Sequence, residues 1–360
     1  MNAIRNASLS RVLFLRLKDN RWTRSLESGL RDSPPGGVLL ADPLPRTPDD
    51  TLALTLKIRR ACSNPVFIAI REEGGPGSPL SRYFAALPLP RALAKMGAEA
   101  VARSSDLMGD ALRLLGLNTN FAPVLDLATP LSEKKLGART FGRDPQGVAE
   151  CGGALMCGLA RHKILACGKH FPGWGSVPFE RASGLPVSAK TMASLWREDL
   201  LPFRKLLPWL PMVLLSSAAY KAYDFDLPRP ASLSSSVVEG LLRGKLGYHG
   251  VALAFDLDSK DVRGALSFGE AVIQSLNAGC DMVMVDQGER FGISLEALKT
   301  GIQSGRLSTQ RVEEALKRIQ AAQKRIPSST SKPSKKAIQG LQKGFDEFSR
   351  EFIREESSNG

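Results

Sequence analysis

Short apolar runs of β-type composition recur along the chain, each followed by a stretch long enough for a helix. Residues 12–17, 38–41, 66–70, 120–126, 164–170, 212–217, 251–256 and 282–285 are predicted as strands. Several are continuously apolar rather than alternating, as expected of parallel strands buried on both faces. Between them, residues 90–115, 144–162 and 237–246 are predicted as helices. Within 308–325, Val312, Ala315, Leu316, Ile319 and Ala322 recur at helical spacing, and Ser308 is placed to cap the first turn. Eight strands alternating with helices predict an α/β fold, a single-domain (β/α)8 TIM barrel, in which chemistry gathers at the carboxyl ends of the strands.

The barrel pattern occupies residues 1–326, and residues 327–337 are a linker by their Pro, Ser and Lys content. Residues 338–360 form an amphipathic helical tail, with Ile338, Leu341, Phe345, Phe348 and Phe352 at three- and four-residue spacing. This tail either docks on the barrel or presents its apolar face to a protein partner.

Composition narrows the class. The 360 residues are 43% hydrophobic, which excludes wholesale disorder. The longest charge-free apolar run, 206–220, contains Pro208 and Pro211 and falls short of the roughly 20 residues a membrane span needs. The first ten residues are polar and Arg16 interrupts the following apolar stretch, so no secretory signal is expected and the cytoplasm is predicted. The five cysteines (Cys62, Cys151, Cys157, Cys167 and Cys280) are odd in number, lack C-x-x-C spacing and are predicted to be buried free thiols. The net charge of +13 is spread along the chain without a basic block interleaved with aromatics. It predicts a solvated basic surface, and nucleic acid is not expected as a partner. No cofactor or metal is expected.

The segment Gly168-Lys-His-Phe-Pro-Gly-Trp-Gly175 follows the predicted strand 164–170. It puts Lys169 and His170 at the barrel mouth, running into a Pro/Gly turn. Alone, such a pair is as readily structural as functional. The segment resembles the Lys-His-Phe-Pro-Gly-His-Gly signature of glycoside hydrolase family 3, most closely its cytoplasmic bacterial β-N-acetylhexosaminidases. Further likenesses follow in chain order. They are Pro35-Gly-Gly-Val38, Glu72-Glu-Gly-Gly75, Asn120-Phe-Ala-Pro-Val-Leu-Asp126, Gly137-Ala-Arg-Thr-Phe-Gly142, Pro230-Ala-Ser-Leu-Ser234, Leu242-Arg-Gly-Lys-Leu-Gly-Tyr-His-Gly-Val251 and Ala278-Gly-Cys-Asp-Met282.

The resemblance implies a retaining glycosidase, which needs a nucleophilic carboxylate and a proton donor about 5–5.5 Å apart. In the family branch the nucleophile is the first Asp of a Ser-Asp-Asp-Leu strand end, and the donor is a loop His oriented by an Asp two residues earlier. Here the strand reads Val251-Ala-Leu-Ala-Phe-Asp-Leu257, so Phe255 stands at the nucleophile position and Asp256 matches the second Asp. Neighbouring strand residues face opposite sides, so Asp256 cannot simply replace its neighbour. Glu180-Arg-Ala182 stands at the dyad, which makes Ala182 the residue at the donor position, and Trp174 replaces the second His of the signature. Of the remaining histidines, His162 precedes the strand and His249 lies at its amino end, both away from the mouth.

On the sugar side, Arg139, Lys169 and His170 match family residues that contact hydroxyls, and Asp126 is kept either for the site or to tie loops. Arg71 replaces the family's substrate-binding Asp. Two expectations therefore stand. One is a hydrolase of terminal β-linked N-acetylhexosamine working with the weak substitutes Asp256 and Glu180, at a strongly reduced rate. The other is a non-catalytic barrel that binds a carbohydrate, or a protein partner through its loops or tail helix. With Arg71 beside Lys169 and Arg139, the carbohydrate is expected to be anionic.

Overall fold

Each of the eight predicted runs contributes one strand to a closed, all-parallel barrel. The computed structural model describes residues 6–63, 65–178, 184–255, 257–327 and 334–358. In chain order the barrel strands are β1 (Leu13–Arg16), β2 (Gly37–Leu39), β3 (Phe67–Ile70), β4 (Thr119–Asn120), β5 (Leu165–Phe171), β6 (Met212–Leu215), β7 (Val251–Ala254) and β8 (Met282–Asp286). Every strand pairs with its sequence neighbours, and β1 closes the ring on β8 with Phe14 opposite Met284. The continuous apolar runs lie with both faces covered: all four residues of β3, β6 and β7 are buried.

Side chains fill the barrel interior. Phe14 on β1 lies 5.3 Å, ring to ring, from Phe121 just after β4. Those strands are not adjacent, so the two rings can meet only inside the barrel. Gly37 on β2 lies under the same Phe14, where an added Cβ would come within 2.4 Å of the ring.

The predicted strand 120–126 shortens to Thr119–Asn120. Pro123 offers no N–H to a ladder, and only an isolated bridge from Val124 to Lys169 continues the pairing. The predicted helix 90–115 divides into Pro90–Lys95 and Ala98–Leu114 around Gly97, whose φ of +94° lies outside helical space. The other predicted helices form with small changes of boundary. Pro145–Arg161 is capped by Asp144, Ser236–Lys245 winds as a π-helix, and Thr309–Gln323 starts at Ser308, whose hydroxyl accepts from the Arg311 N–H at 3.1 Å.

The C-terminal helix spans Lys335–Ser358 and packs on Ala98–Leu114. Its apolar face is used within the chain. Leu341, Phe345, Phe348 and Phe352 are buried, and Phe345 stacks on Phe84 at 4.7 Å. The expectation of a partner held by this face is corrected accordingly: burying four large apolar groups against the barrel is the more favourable use of that surface. The expected linker lies mostly outside the described residues. All five cysteines are free, but Cys157 is exposed rather than buried, because it sits on the outer face of Pro145–Arg161. Among the described residues, no helix is long and apolar enough to cross a membrane.

Candidate functional site

The carboxyl ends of β3 and β5 and the turn Gly137–Arg139 bring two of the predicted sugar-side residues, Lys169 and Arg139, together on Glu73, a carboxylate the motifs did not single out. Beyond β3 the chain carries Glu72 and Glu73 in succession, and their side chains part. Glu72 is fully buried and accepts from the N–H groups of Gly74 at 2.7 Å and Leu80 at 2.8 Å, which fastens the following loop. Asn120 at the end of β4 holds the Glu72 backbone from the other side, with two bonds of 2.9 Å. Burial pushes the Glu72 carboxyl up to about 7, against the pull of those two N–H donors.

Glu73 turns toward the mouth and is shared by two cations. Arg139, from the turn Gly137–Arg139, grips it with both arms of the guanidinium at 2.6 and 2.8 Å. The Lys169 ammonium, from β5, donates to the same carboxylate and is itself only 2% exposed. Burial alone would raise the Glu73 carboxyl, but Lys169 and Arg139 outweigh it and hold the group at about 2. Burial also draws the Lys169 ammonium below its ordinary value, with Glu73 opposing. A lysine this deeply buried needs such a counter-charge.

His170, the next residue, faces Asp126. Its Nδ1 lies 2.6 Å from Asp126 Oδ2, and its backbone N–H reaches the same carboxylate at 3.2 Å. Burial lowers the imidazole below its ordinary value although Asp126 opposes the shift, so the neutral ring predominates at neutral pH. With Nδ1–H donated to Asp126, Nε2 is left as an acceptor. Asp126, fully buried, also accepts from the Trp174 backbone N–H at 2.6 Å. The Trp174 indole then meets the His170 ring edge-on at 4.9 Å, and the Lys135 ammonium sits 3.5 Å above the indole. Asp126 thus fixes the His170 ring and the turn that carries Trp174, and Trp174 packs where the signature would place a second His.

A cavity of about 360 Å³ opens beside this cluster and is lined by Asp42, Arg71, Glu73, Ser78 and Arg139 among others. Arg71 is exposed on its rim. The expectation of an anionic ligand drew on three clustered cations. Lys169 and Arg139 are already committed to Glu73, and Arg71 shares the cavity lining with Asp42. Two of the three cations are therefore engaged within the chain, and nothing further at this cavity supports an anionic ligand.

On the opposite side of the mouth, Phe255 follows β7, half-buried beside Arg16, Met284 and Asp286. Arg16 and Asp286 join the ends of β1 and β8 by two bonds of 2.5 and 2.8 Å. Only about 20 Å³ of space remains among these side chains. The two weak substitutes, Asp256 and Glu180, and with them Ala182, lie outside the described residues. His162 pairs with Asp106 at 3.0 Å on the outer helices, and His249 lies at the amino end of β7, so neither reaches the mouth. Among the described residues no group of three His, Cys, Asp or Glu could hold a metal ion.

Glu73 was the main residue missed. Its signal was present: two cations predicted at one mouth, both at strand or turn positions, with a doubled acid at the end of the neighbouring strand. The Arg16–Asp286 pair gave a fainter one, a charge ending each of two apolar strands that close the ring.

Comparison with known proteins adds to this geometry. Residues 11–322 match the sequence profile of the Glycosyl hydrolase family 3 N terminal domain. A β-hexosaminidase of Nitrosomonas eutropha is 31% identical over 297 residues, covering 78% of this chain and 83% of that protein. Among solved structures, a family 3 β-N-acetylglucosaminidase from Paenibacillus superposes with a TM-score of 0.83 at 26% identity, covering 96% of this chain and 69% of its own. A fungal multi-domain family 3 β-N-acetylglucosaminidase superposes with a TM-score of 0.88 at 24% identity and shares the fold; the chain spans 43% of its length.

Proposed function

The chain belongs to glycosyl hydrolase family 3, and from that premise we propose that it is a β-N-acetylhexosaminidase-type barrel that still binds sugar but has lost or strongly reduced hydrolysis. The observation that carries the reading is Phe255. It supplies an apolar ring where the family motif calls for the attacking carboxylate, and Ala182 likewise supplies no proton at the donor position. A retaining glycosidase forms a covalent bond from its carboxylate to the anomeric carbon while an acid protonates the departing oxygen. Removing one member of such a coupled pair costs several orders of magnitude in rate, and replacing both leaves little beyond binding.

The sugar side supports the other half of the proposal. Arg139 presents donors at the cavity rim while Glu73 fixes its orientation. His170, held by Asp126, offers Nε2 as an acceptor for a hydroxyl, and Lys169 keeps Glu73 ionised. Arg71 adds a donor on the rim where the family has an acceptor, which alters which hydroxyl is recognised. We place the protein in the cytoplasm, which its five unpaired cysteines support.

Two measurements test this. A chromogenic N-acetyl-β-glucosaminide should give turnover near the uncatalysed background. Calorimetry with N-acetylglucosamine should give saturable binding that weakens at least about tenfold in Arg139→Ala. Clear turnover that Asp256→Ala or Glu180→Gln abolishes would overturn the loss of hydrolysis. Absence of saccharide binding would overturn the retained sugar site.

A further inference from the structure

A cavity of about 480 Å³ lies at the end of the barrel away from the sugar site. Its walls include Pro211 and Gly250, the residues immediately before β6 and β7, so it opens at the amino ends of these strands. Leu207 and Ala322 provide part of an apolar wall, while Arg318 and Arg325 bring two guanidinium groups to the same space. No acidic side chain lines it among the described residues.

The charge behind this cavity is unbalanced. Buried Asp281 accepts from Arg243 at 2.5 Å, Arg311 at 2.9 Å and Arg318 at 3.0 Å. Arg311 also pairs with Glu314 at 2.8 Å. Counting Arg325, four arginines face two carboxylates, a surplus of two positive charges. Helices ending nearby at Leu206, Lys245 and Gln323 offset part of that surplus through their terminal carbonyls, each about half a charge and screened where exposed. They do not account for the open volume or for an acid-free lining. Among the described residues, Arg325 makes no side-chain hydrogen bond or ion pair, and Arg318 commits only Nη1.

We propose that this cavity is a second ligand site, which takes a small organic anion with its oxyanion head between Arg318 and Arg325 and its apolar body against the Leu207 wall. A guanidinium fork matches carboxylate and phosphate oxygens alike, so the shared chemistry is the oxyanion. The site is separate from the sugar cavity, with which it shares no lining residue. Trp209, exposed between lining residues Pro208 and Leu210, supplies a fluorescence reporter at its edge.

The test is titration of the full chain at fixed ionic strength with phenyl phosphate, benzoate, inorganic phosphate and neutral benzyl alcohol. Calorimetry and tryptophan fluorescence serve as readouts. Saturable one-site binding of phenyl phosphate or benzoate, weakened at least about tenfold in Arg325→Gln and unchanged in Arg71→Gln, is expected. Whichever of the two binds more tightly identifies the source as phosphate ester or carboxylate, and inorganic phosphate should bind more weakly than phenyl phosphate. Because Arg325 is exposed and holds no partner among the described residues, its replacement should leave the thermal midpoint unchanged. Absence of saturable binding, equal binding of benzyl alcohol, or loss that follows Arg71→Gln instead would overturn the proposal.

Discussion

Replacing Glu73 by Gln keeps the shape of the side chain and removes the one charge that Lys169 and Arg139 share. The size of the effect follows from the structure. A carboxyl held at about 2 when folded, against 4.5 when unfolded, contributes about 3 kcal/mol of stability. Because the folded value is the lower one, that contribution is complete above pH 4.5 and fades as pH falls toward 2. Breaking a buried ion pair from one side gives a similar figure, about 3–5 kcal/mol, because the remaining charge stays desolvated. In Glu73→Gln the stranded charge is Lys169, at 2% exposure, since the half-exposed Arg139 can turn toward water.

The pH dependence provides a second, sharper check. Lys169 already sits below its ordinary value through burial, and without Glu73 it falls further. A base whose folded pKa is depressed costs stability at low pH and recovers it as pH rises through that value. The deficit of Glu73→Gln should therefore be largest near pH 6 and shrink toward pH 9. Urea unfolding at both pH values would measure it, with Glu73→Gln/Lys169→Met regaining at least half the loss. A deficit under about 1 kcal/mol at pH 7, or one that does not change with pH, would refute the account of a buried shared carboxylate.

Three further outcomes are expected. Asp126→Asn puts an amide donor among three N–H groups that now converge on a carboxylate, and should cost about 2 kcal/mol in unfolding and at least tenfold in saccharide affinity; unchanged affinity would remove its positioning role. Glu72 has a folded value raised to about 7 by burial, above the unfolded 4.5, so its contribution is complete below pH 4.5 and is lost as pH rises through 7. Glu72→Gln should flatten the stability profile in that window by up to about 3 kcal/mol, and an unaltered slope would contradict it. Phe345→Ala deletes a ring that is 1% exposed and stacked on Phe84, so it should cost about 3 kcal/mol and speed hydrogen exchange along Lys335–Ser358; a loss under about 1 kcal/mol would mean the helix is not anchored there.

The eight strands and most helices were legible because they depend on local pattern: apolar runs that need cover on both faces, and caps such as Ser308 and Asp144 one residue before a helix. Boundaries failed where one residue acts on the backbone, at Gly97 and at Pro123. Lys169, His170 and Arg139 were visible through their motifs. Their partners were less so, since Glu73 is nearly a hundred residues from Lys169 in sequence and meets it only once β3 and β5 stand in one ring.

The sequence by itself determined the barrel, the family and the identity of the residues at the two altered motif positions, because periodicity and motif order are properties of the chain. Tertiary structure alone decided charge balance. It tied Lys169 and Arg139 at the mouth to the one carboxylate of Glu73, and it gathered Arg243, Arg311 and Arg318 onto Asp281 at the far end. The physical reason is that Coulomb energy depends on distance and burial, and neither can be read along a chain until the ring closes.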